Sequence, residues 1–467
     1  MEQKENKGLN IGVRSFITAI AVIFALMVVC YALTLLIPSG EYERFEDSNG
    51  NLTIDTSSEF KQKEGGIPFW KWLLSPILVL GAEGNGALIA VIVFLLVIGG
   101  IFTALEKCGL IKYMLGAMAR RFGNIRYRLL AVIPLFFMAL GAMVGSFEEC
   151  VPLVPIVVAL SIKLGWDVYT GIGMSLLAAG CGFAAGVCNP FTVGVAQKLA
   201  ALPMFSGAWF RMIAFALIYA LLIIFLLWHA KRVERPIENN FGTDDFVRHK
   251  NMDRGTVCFT TILGLGILTV LLSGTIPALQ DLTMIIVALT FLIAGIVATL
   301  VSGMKVKDLG RSSLSGIIGI LPAVIMILMA SSIKYTLQEA SVLDTILYGA
   351  VGLAKSLPGW SVILFIYLIV LLMNFFIPSG SAKAFMLIPL IVPMAQIFGI
   401  SAQLCIVAFA FGDGFSNVFY PTNPALLISL GLADVSYGDW FKWSWKFQAL
   451  NLVLTSLILL FGFAIGF

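Results

Sequence analysis

The sequence is poor in charged residues, which make up 12% of its 467 positions, and it contains only two histidines. Soluble domains carry roughly one quarter charged residues, so this deficit excludes an ordinary soluble protein. There is no Cys-x-x-Cys pair and no HExxH motif, and the 7 cysteines lie in or beside apolar segments. These absences give no ground for a metal site, a cofactor or an enzymatic centre. We therefore predict that the chain is not an enzyme and needs neither metal nor cofactor.

Apolar residues are abundant, at 59% of the chain, and the mean hydropathy is +0.98. This composition predicts a polytopic protein of the cell membrane whose main surroundings are lipid. The formal net charge of +4 does not indicate nucleic acid, because basic residues in membrane proteins mainly set orientation. The placement of lysine and arginine predicts a cytoplasmic N-terminus and a C-terminus outside.

Two apolar stretches differ from ordinary transmembrane spans. Residues 129–164 would need roughly 40 residues plus a turn to cross twice, and they are interrupted at Gly145 and again by prolines. We predict a re-entrant hairpin here with its tip at 145–149. Residues 166–202 form one span that the segment Gly186–Pro190 should break near its centre, because proline removes a backbone donor and clashes with the preceding turn.

The chain repeats itself. An offset of 234, chosen to superpose Asn189-Pro190 on Asn423-Pro424, also superposes three residue pairs that were not used to choose it, namely Gly165 and Gly399, Gly180 and Gly414, and Trp209 and Trp443. The repeat predicts a second hairpin over 360–398, with its tip at 378–383, and a second broken helix over 403–432. The first repeat begins with an inward span and the second with an outward span, so the repeats are inverted, as in secondary transporters.

The predicted fold is therefore an all-α polytopic membrane protein of the inverted-repeat transporter class, with nine transmembrane helices, two re-entrant hairpins and two broken helices. An N-terminal span and an interfacial helix belong to a scaffold part. The predicted parts are 1–86 (scaffold), 87–230 (first repeat), 231–255 (cytoplasmic linker), 256–311 (a scaffold helix pair) and 312–467 (second repeat).

The predicted binding site lies where the two hairpin tips and the two helix breaks converge. Broken helices expose N–H groups and carbonyls that bind anions and cations. The candidate substrate-binding residues are Ser146, Glu148, Glu149, Asn189, Thr192, Ser379, Ser381, Lys383, Thr422 and Asn423.

The carboxylates Glu148 and Glu149 are the most informative of these, since ionisable groups inside the membrane are costly and usually functional. The repeat makes Glu149 in the first tip equivalent to Lys383 in the second tip, so the two tips carry opposite charges at equivalent positions. Three interpretations follow. The two charges could bracket a zwitterionic substrate, they could form a direct ion pair, or one glutamate could carry a proton. Asp413 is either a further proton or cation site or a bridge to another helix.

The motifs GSFEECVPLVPI, GVCNPFTVG, PSGSAKA and PTNP resemble those of YfcC/ArcD-type carriers in the C4-dicarboxylate anaerobic carrier family. The resemblance runs from Phe16 to the end of the chain. It implies the ion transporter superfamily fold, a homodimer formed through the scaffold, and an elevator-like mechanism. It also implies that Glu148, Glu149, Asn189, Ser381, Lys383, Thr422 and Asn423 line the site. The tips here read GSFEE and PSGSAK instead of the Ser-Asn-Thr of sodium-coupled relatives, so H⁺ and Na⁺ both stay open as coupling ions.

The predicted function is secondary transport or exchange of amino acids, with basic ones of the arginine and ornithine type favoured because two tip acids face one tip lysine. The alternative is a proton- or cation-coupled carrier of C4-dicarboxylates or other organic anions. A channel is a third possibility, which saturable exchange without conductance would exclude.

Overall fold

The computed structural model describes residues 13–46, 52–54, 60–63, 65–82, 86–114, 117, 125–145, 147–235, 249–273, 283–354 and 356–467. Its longer helices are Val13–Leu36, Gly86–Lys107, Arg126–Met143, Val154–Lys163, Ala178–Ala185, Ala208–Val233, Lys250–Ser273, Thr283–Val301, Val306–Glu339, Leu343–Ala354, Gly359–Phe376, Gly380–Ile397, Ala402–Ser416, Pro424–Leu432 and Tyr437–Ala464. The predicted all-α polytopic fold is confirmed.

Eight helices among the described residues are long and apolar enough to cross a membrane, and four shorter apolar helices accompany them. Three of the eight, Arg126–Met143, Gly359–Phe376 and Gly380–Ile397, fall in the segments predicted as hairpins. Length and composition do not locate a bilayer, so the count of nine crossings and the division into two repeats and a scaffold stay predictions.

The polar loop after the first helix contains two short pairs of antiparallel strands. Gly40–Glu41 pairs with Lys61–Gln62, and Arg44–Glu46 pairs with Leu52–Ile54. The loop is fixed to the helix corner near Leu343, because Arg44 Nη2 donates to both carboxylate oxygens of Asp344 at 2.8 Å. The predicted interfacial helix over 67–82 forms as Phe69–Leu73 and Ser75–Leu78 followed by a 3-10 turn, Val79–Gly81.

The first hairpin consists of Arg126–Met143, a 3-10 turn over Glu148–Leu153, and Val154–Lys163. The start of its first arm and the end of its second arm meet, since Arg126 Nη1 donates to Leu164 O at 3.0 Å. The chain therefore reverses between residues 144 and 153, which includes the predicted tip at 145–149. The helix of the second arm begins only at Val154. Pro152 lies in the 3-10 turn before it, and Pro155 lies in its first turn, a position that suits proline.

The first broken helix spans Val168–Leu199. Its first half ends with Ala178–Ala185, and the chain resumes helical structure at Pro190, in a π-type turn over Pro190–Gly194. The break falls on the predicted Gly186–Pro190 segment. Asp167 begins the helix by accepting a hydrogen bond from Thr170 N at 2.9 Å, which is an ordinary N-cap.

The second hairpin consists of Gly359–Phe376 and Gly380–Ile397, and the second broken helix consists of Ala402–Ser416 and Pro424–Leu432. One detail differs from the sequence prediction. The tip is confined to residues 377–379, and Lys383 lies in the first turn of the helix that follows. The helix can start at Gly380 because Gly380-Ser-Ala-Lys contains no proline, while Pro378 lies in the connection and cannot continue the preceding helix.

The two broken helices cross at very short range. A Cβ on Gly180 would lie 2.4 Å from Val418 Cγ1, and a Cβ on Gly414 would lie 2.2 Å from Ala184 Cα. Small residues allow such an approach between helices in membranes. The crossing brings the break of one helix next to the break of the other, and so it positions the candidate site.

Candidate functional site

Both helix breaks end in the same asparagine cap. Asn189 Oδ1 accepts hydrogen bonds from the N–H groups two and three residues ahead, at 2.9 and 3.3 Å, and Asn423 Oδ1 does the same at 2.9 and 3.3 Å. A proline follows each asparagine, at the helix position where a missing N–H is harmless. Each cap thus fixes the carbonyl oxygen of its side chain and leaves the amide nitrogen for another partner.

The tip of the first hairpin rests directly on Asn189. Gly145 has a φ of +78°, and a Cβ there would lie 2.3 Å from Asn189 Oδ1. The two segments are also joined through the backbone, because Cys188 N donates to Ala142 O at 2.9 Å. Only glycine combines this left-handed conformation with such a close approach. The predicted contact between tip and break is therefore present on this side of the site.

The tip of the second hairpin reaches both broken helices. A Cβ on Gly380 would lie 2.4 Å from Thr192 Cγ2 and 2.6 Å from Asp413 Oδ2. The helix that Gly380 begins has Ser379 as its N-cap residue, and that side chain makes no capping hydrogen bond. The first N–H groups of this 18-residue helix are consequently available to an acceptor.

Lys383 is fully buried and forms an ion pair with Asp413, which is also fully buried. Its Nζ lies 2.6 Å from Asp413 Oδ1 and 3.0 Å from Ile377 O, and it also donates to Asn374 Oδ1. An ammonium has three N–H donors, so the three acceptors occupy all of them. The sequence left two interpretations of Asp413 open, and the ion pair with Lys383 makes this residue a bridge to another helix.

The pairing of Lys383 with Glu149 stays a prediction. The backbone of Glu149 lies in the 3-10 turn Glu148–Leu153, but its side chain and the whole of Ser146 fall outside the described residues. Any contact between Glu149 and Lys383 would have to compete with the three acceptors already bound.

Asn374 and Asn417 connect this ion pair to the second break. Asn374 Nδ2 lies 3.1 Å from Asp413 O, 2.6 Å from Ser416 Oγ and 2.9 Å from Asn417 Oδ1. Asn417 Oδ1 in turn accepts from Asn423 Nδ2 at 3.1 Å. A continuous polar network therefore runs from Lys383 to the cap of the second break.

Several buried polar atoms around the tips have no hydrogen-bond partner among the described residues. They are Asn189 Nδ2, Thr192 Oγ1, Asp413 Oδ2 and Thr422 Oγ1. A buried unsatisfied group costs about 1–3 kcal/mol, and four of them at converging chain interruptions are typical of a site that accepts a polar ligand. Among the described residues, His, Cys, Asp and Glu side chains form no cluster suited to a metal.

Glu148 is the one described candidate carboxylate that is partly exposed. It begins the 3-10 turn at the first tip. Within the described chain, no lysine or arginine forms an ion pair with it. Ser379 is exposed and Ser381 is half-buried, so these two hydroxyls lie at the edge of the network and not within it.

Besides Ser416 and Asn417, which lie next to the second break, two residues of the site escaped the sequence analysis. Arg211 is fully buried, and its guanidinium donates to Val187 O at 3.1 and 3.2 Å and to Ser206 O at 3.0 Å. It thereby neutralises the carbonyl end of the half-helix before the first break. Asn374 is the second. Both stand alone in apolar runs, which is the signal that could have identified them.

Interrupted helices whose ends meet inside a bundle of long apolar helices define a polytopic membrane transporter. The sequence model of the DcuC family, described as C4-dicarboxylate anaerobic carrier, matches residues 16–464. The chain therefore belongs to the DcuC family of carriers, which are transporters and not enzymes.

Two relatives and a solved structure are similar to the chain over most of its length. The chain is 29% identical over 407 residues to the Escherichia coli protein named "Putative basic amino acid antiporter YfcC", covering 82% of this chain and 79% of that protein. It is 23% identical over 492 residues to an uncharacterized protein of Haemophilus influenzae, covering 95% and 96%. The structure of the YdaH transporter of Alcanivorax borkumensis is similar over 96% of this chain and 99% of that chain, with a TM-score of 0.50 and 18% identity. That likeness supports the fold alone.

Proposed function

We propose that this carrier is a secondary active exchanger of amino acids, with a preference for basic ones. The observation that carries the proposal is the charge of the site. Lys383 and Asp413 neutralise each other, and the partly exposed Glu148 is left without an ion-pair partner within the described residues. An acidic group at the tip of a binding site favours a cationic ligand over an anionic one.

The two ends of a basic amino acid have matching partners. The uncapped N-terminus at Ser379 and Gly380 offers N–H groups and a positive dipole end to the α-carboxylate. Glu148 offers a carboxylate to the ammonium or guanidinium of the side chain. Asn189 adjoins the first tip at Gly145, and Thr192 adjoins the second tip at Gly380. Asn189 Nδ2 and Thr192 Oγ1, which have no partner among the described residues, can donate to the α-carboxylate or accept from the α-ammonium group. The name of YfcC, a relative at 29% identity, points to the same substrate class.

An elevator-like mechanism on an inverted repeat fits the contacts at the crossing. The offset of 234 turns the contact of Gly180 with Val418 into the contact of Gly414 with Ala184, and both approaches are very short, at 2.4 and 2.2 Å. The two asparagine caps are likewise equivalent, with the same pair of distances. These contacts of one repeat therefore have counterparts at the equivalent positions of the other, as expected for inverted repeats. We include in the proposal a homodimer in the cell membrane, with the N-terminus in the cytoplasm and the C-terminus outside.

The alternative function is transport of a C4-dicarboxylate or another organic anion, coupled to H⁺ or Na⁺. The description of the matched family favours it. In that case a glutamate at the first tip would carry the proton, and the helix N-termini would bind both carboxylates.

Counterflow in proteoliposomes separates the two functions. The purified protein is reconstituted with internal arginine, ornithine, lysine, succinate or fumarate, and uptake of the labelled external compound is measured. We expect saturable exchange with the basic amino acids and no signal with the dicarboxylates. Exchange of succinate without exchange of arginine would refute the proposal.

A Glu148→Gln variant identifies the group that selects the charge. We expect at least a tenfold rise in the half-saturation constant for arginine, because a hydrogen bond to a charged group contributes about 1.5–3 kcal/mol. Glu106→Gln is the matched control, since Glu106 is another half-buried glutamate, at the C-terminal end of Gly86–Lys107. Equal transport by both variants would contradict the role of Glu148.

A further inference from the structure

We propose that Lys383 is a tethered cation, meaning that its ammonium permanently fills a cation-binding site and takes the place of a coupling ion there. The inference rests on the proposed exchange function and adds to it the identity of the cation at the second tip. It explains why the carrier can hold its second hairpin against the broken helix without binding a metal ion at this position.

The ligands of the ammonium are those of an alkali cation site. A carboxylate oxygen of Asp413, an amide oxygen of Asn374 and the main-chain oxygen of Ile377 surround Nζ. Oxygen atoms of carboxylates, amides and freed carbonyls bind hard cations in proteins, and in transporters such sites form where helices are broken. Ile377 is the C-cap residue of Gly359–Phe376, so the negative end of a helix dipole also faces the cation.

The burial of the group indicates a permanent occupant. The side chains of Lys383 and Asp413 are both 0% exposed, and neither can reach water without a change in packing. The ammonium joins three helices, because Lys383 lies on Gly380–Ile397, Asn374 on Gly359–Phe376 and Asp413 on Ala402–Ser416. A cation at this point therefore fixes both arms of the second hairpin to the second broken helix.

A tethered ammonium differs from a bound metal ion in one functional respect. It cannot be released on one side of the membrane and rebound from the other, so no ion gradient can act through this site. The free-energy source must then be the substrate gradients themselves, or a proton on another group such as Glu148. Obligatory exchange of one substrate for another is the mode of transport that this arrangement suits.

A simple structural ion pair is the competing interpretation, and it makes a different prediction. If the oxygens form a cation site, removal of the ammonium should leave a site that accepts a free cation. If they only satisfy a lysine, the vacated space should show no cation response.

The test is thermal unfolding of the purified full-length carrier in NaCl, LiCl, KCl, methylammonium chloride and choline chloride at equal ionic strength. We expect Lys383→Ala to gain stability in at least one of the small cations. Its Tm should rise by about 2 °C for each tenfold increase in concentration above Kd. The wild type should show no such difference from choline. These measurements need no transport substrate, so they remain informative if the assignment to basic amino acids fails.

Three further proteins complete the design. Lys383→Met fills the space with a neutral side chain and should not respond to cations. Lys383→Ala combined with Asp413→Asn removes the carboxylate and should abolish the response. Lys334→Ala removes a lysine near the C-terminal end of the helix Val306–Glu339 and is the control for loss of a positive charge elsewhere.

Two results would overturn the inference. One is a folded Lys383→Ala protein whose Tm is the same in all five salts, and the other is an equal response of the wild type and the variant. If Lys383→Ala does not fold, counterflow by the wild type decides. Rates in Na⁺-free choline medium within twofold of those in Na⁺ support the tethered cation, and a tenfold loss in choline overturns it.

Discussion

Replacement of Gly145 by alanine tests whether the first hairpin tip must touch Asn189. Gly145 adopts a φ of +78°, and a Cβ would lie 2.3 Å from Asn189 Oδ1 and 2.9 Å from Nδ2. The left-handed conformation alone costs an L-residue about 1–2 kcal/mol. The new Cβ also displaces the Asn189 side chain, which then loses its two capping hydrogen bonds, each contributing about 1 kcal/mol.

The total expected cost is therefore about 3–4 kcal/mol, of which about 2 kcal/mol belongs to the contact with Asn189. Gly109 provides a control that separates the two parts. Its φ is +80°, and an added Cβ would meet nothing within 4 Å. Gly109→Ala should lose only the free energy that belongs to the left-handed conformation. The difference in the free energy of unfolding between the two variants therefore measures the contact of the tip with Asn189.

Thermal unfolding and counterflow are the assays. We expect Gly145→Ala to lower the Tm more than Gly109→Ala does. It should also raise the half-saturation constant of the exchanged substrate by up to about 30-fold, the equivalent of 2 kcal/mol. Gly109→Ala should leave that constant unchanged. Equal losses of Tm with unaltered substrate affinity would show that the contact with Asn189 has no part in the binding site.

Three further predictions concern buried or partly buried charges. Asp413→Asn leaves the ammonium of Lys383 uncompensated and should lower the free energy of unfolding by about 3–5 kcal/mol. The double variant Asp413→Asn with Lys383→Met should recover part of the lost Tm. A double variant no more stable than the single one would contradict this. Burial acts to raise the pKa of Asp167, but hydrogen bonds including that from His229 outweigh it and hold the pKa below its ordinary value. Stability gained this way is present above the unfolded-state pKa of about 3.9 and is lost as pH falls through the folded value. Asp167→Asn should thus lower the Tm at pH 7, with the gap closing in acid; a constant gap would refute the assignment. Arg211→Met leaves main-chain carbonyls unsatisfied and should cost about 1–3 kcal/mol, and Arg211→Lys should restore only part of it in the same unfolding assay.

The interruptions of the helices were predictable because local chemistry determines them. Asn189-Pro190 and Asn423-Pro424 combine the best N-cap residue type with the residue best suited to the first helical turn. The structure breaks both helices there and uses both asparagines as caps. The chain reversal in the first hairpin was predicted from length and interruptions, since its segment holds too few residues for two crossings and a turn, and that in the second was predicted from the repeat.

The partner of Lys383 was not predictable from the sequence. The repeat suggested Glu149 because an offset identifies equivalent positions, but equivalence is not contact. Asp413 is 30 positions from Lys383 and meets it only because the second broken helix packs against the second hairpin. Asn374 lies nine positions from Lys383 and meets it across the turn of the second hairpin, because the two residues lie on its two arms.

The sequence by itself determined the class of protein, the number and position of the breaks, and the polar residues within them. These depend on composition, helix length and the chemistry of proline, glycine and asparagine, all of which act locally. The tertiary structure alone decided which charges cancel. Glycine contacts at Gly180 and Gly414 set how closely the broken helices cross, and the packing of the second hairpin on the second broken helix places the ammonium of Lys383 on Asp413. Among the described residues, Glu148 at the first tip has no ion-pair partner, and the proposed preference for basic amino acids depends on it.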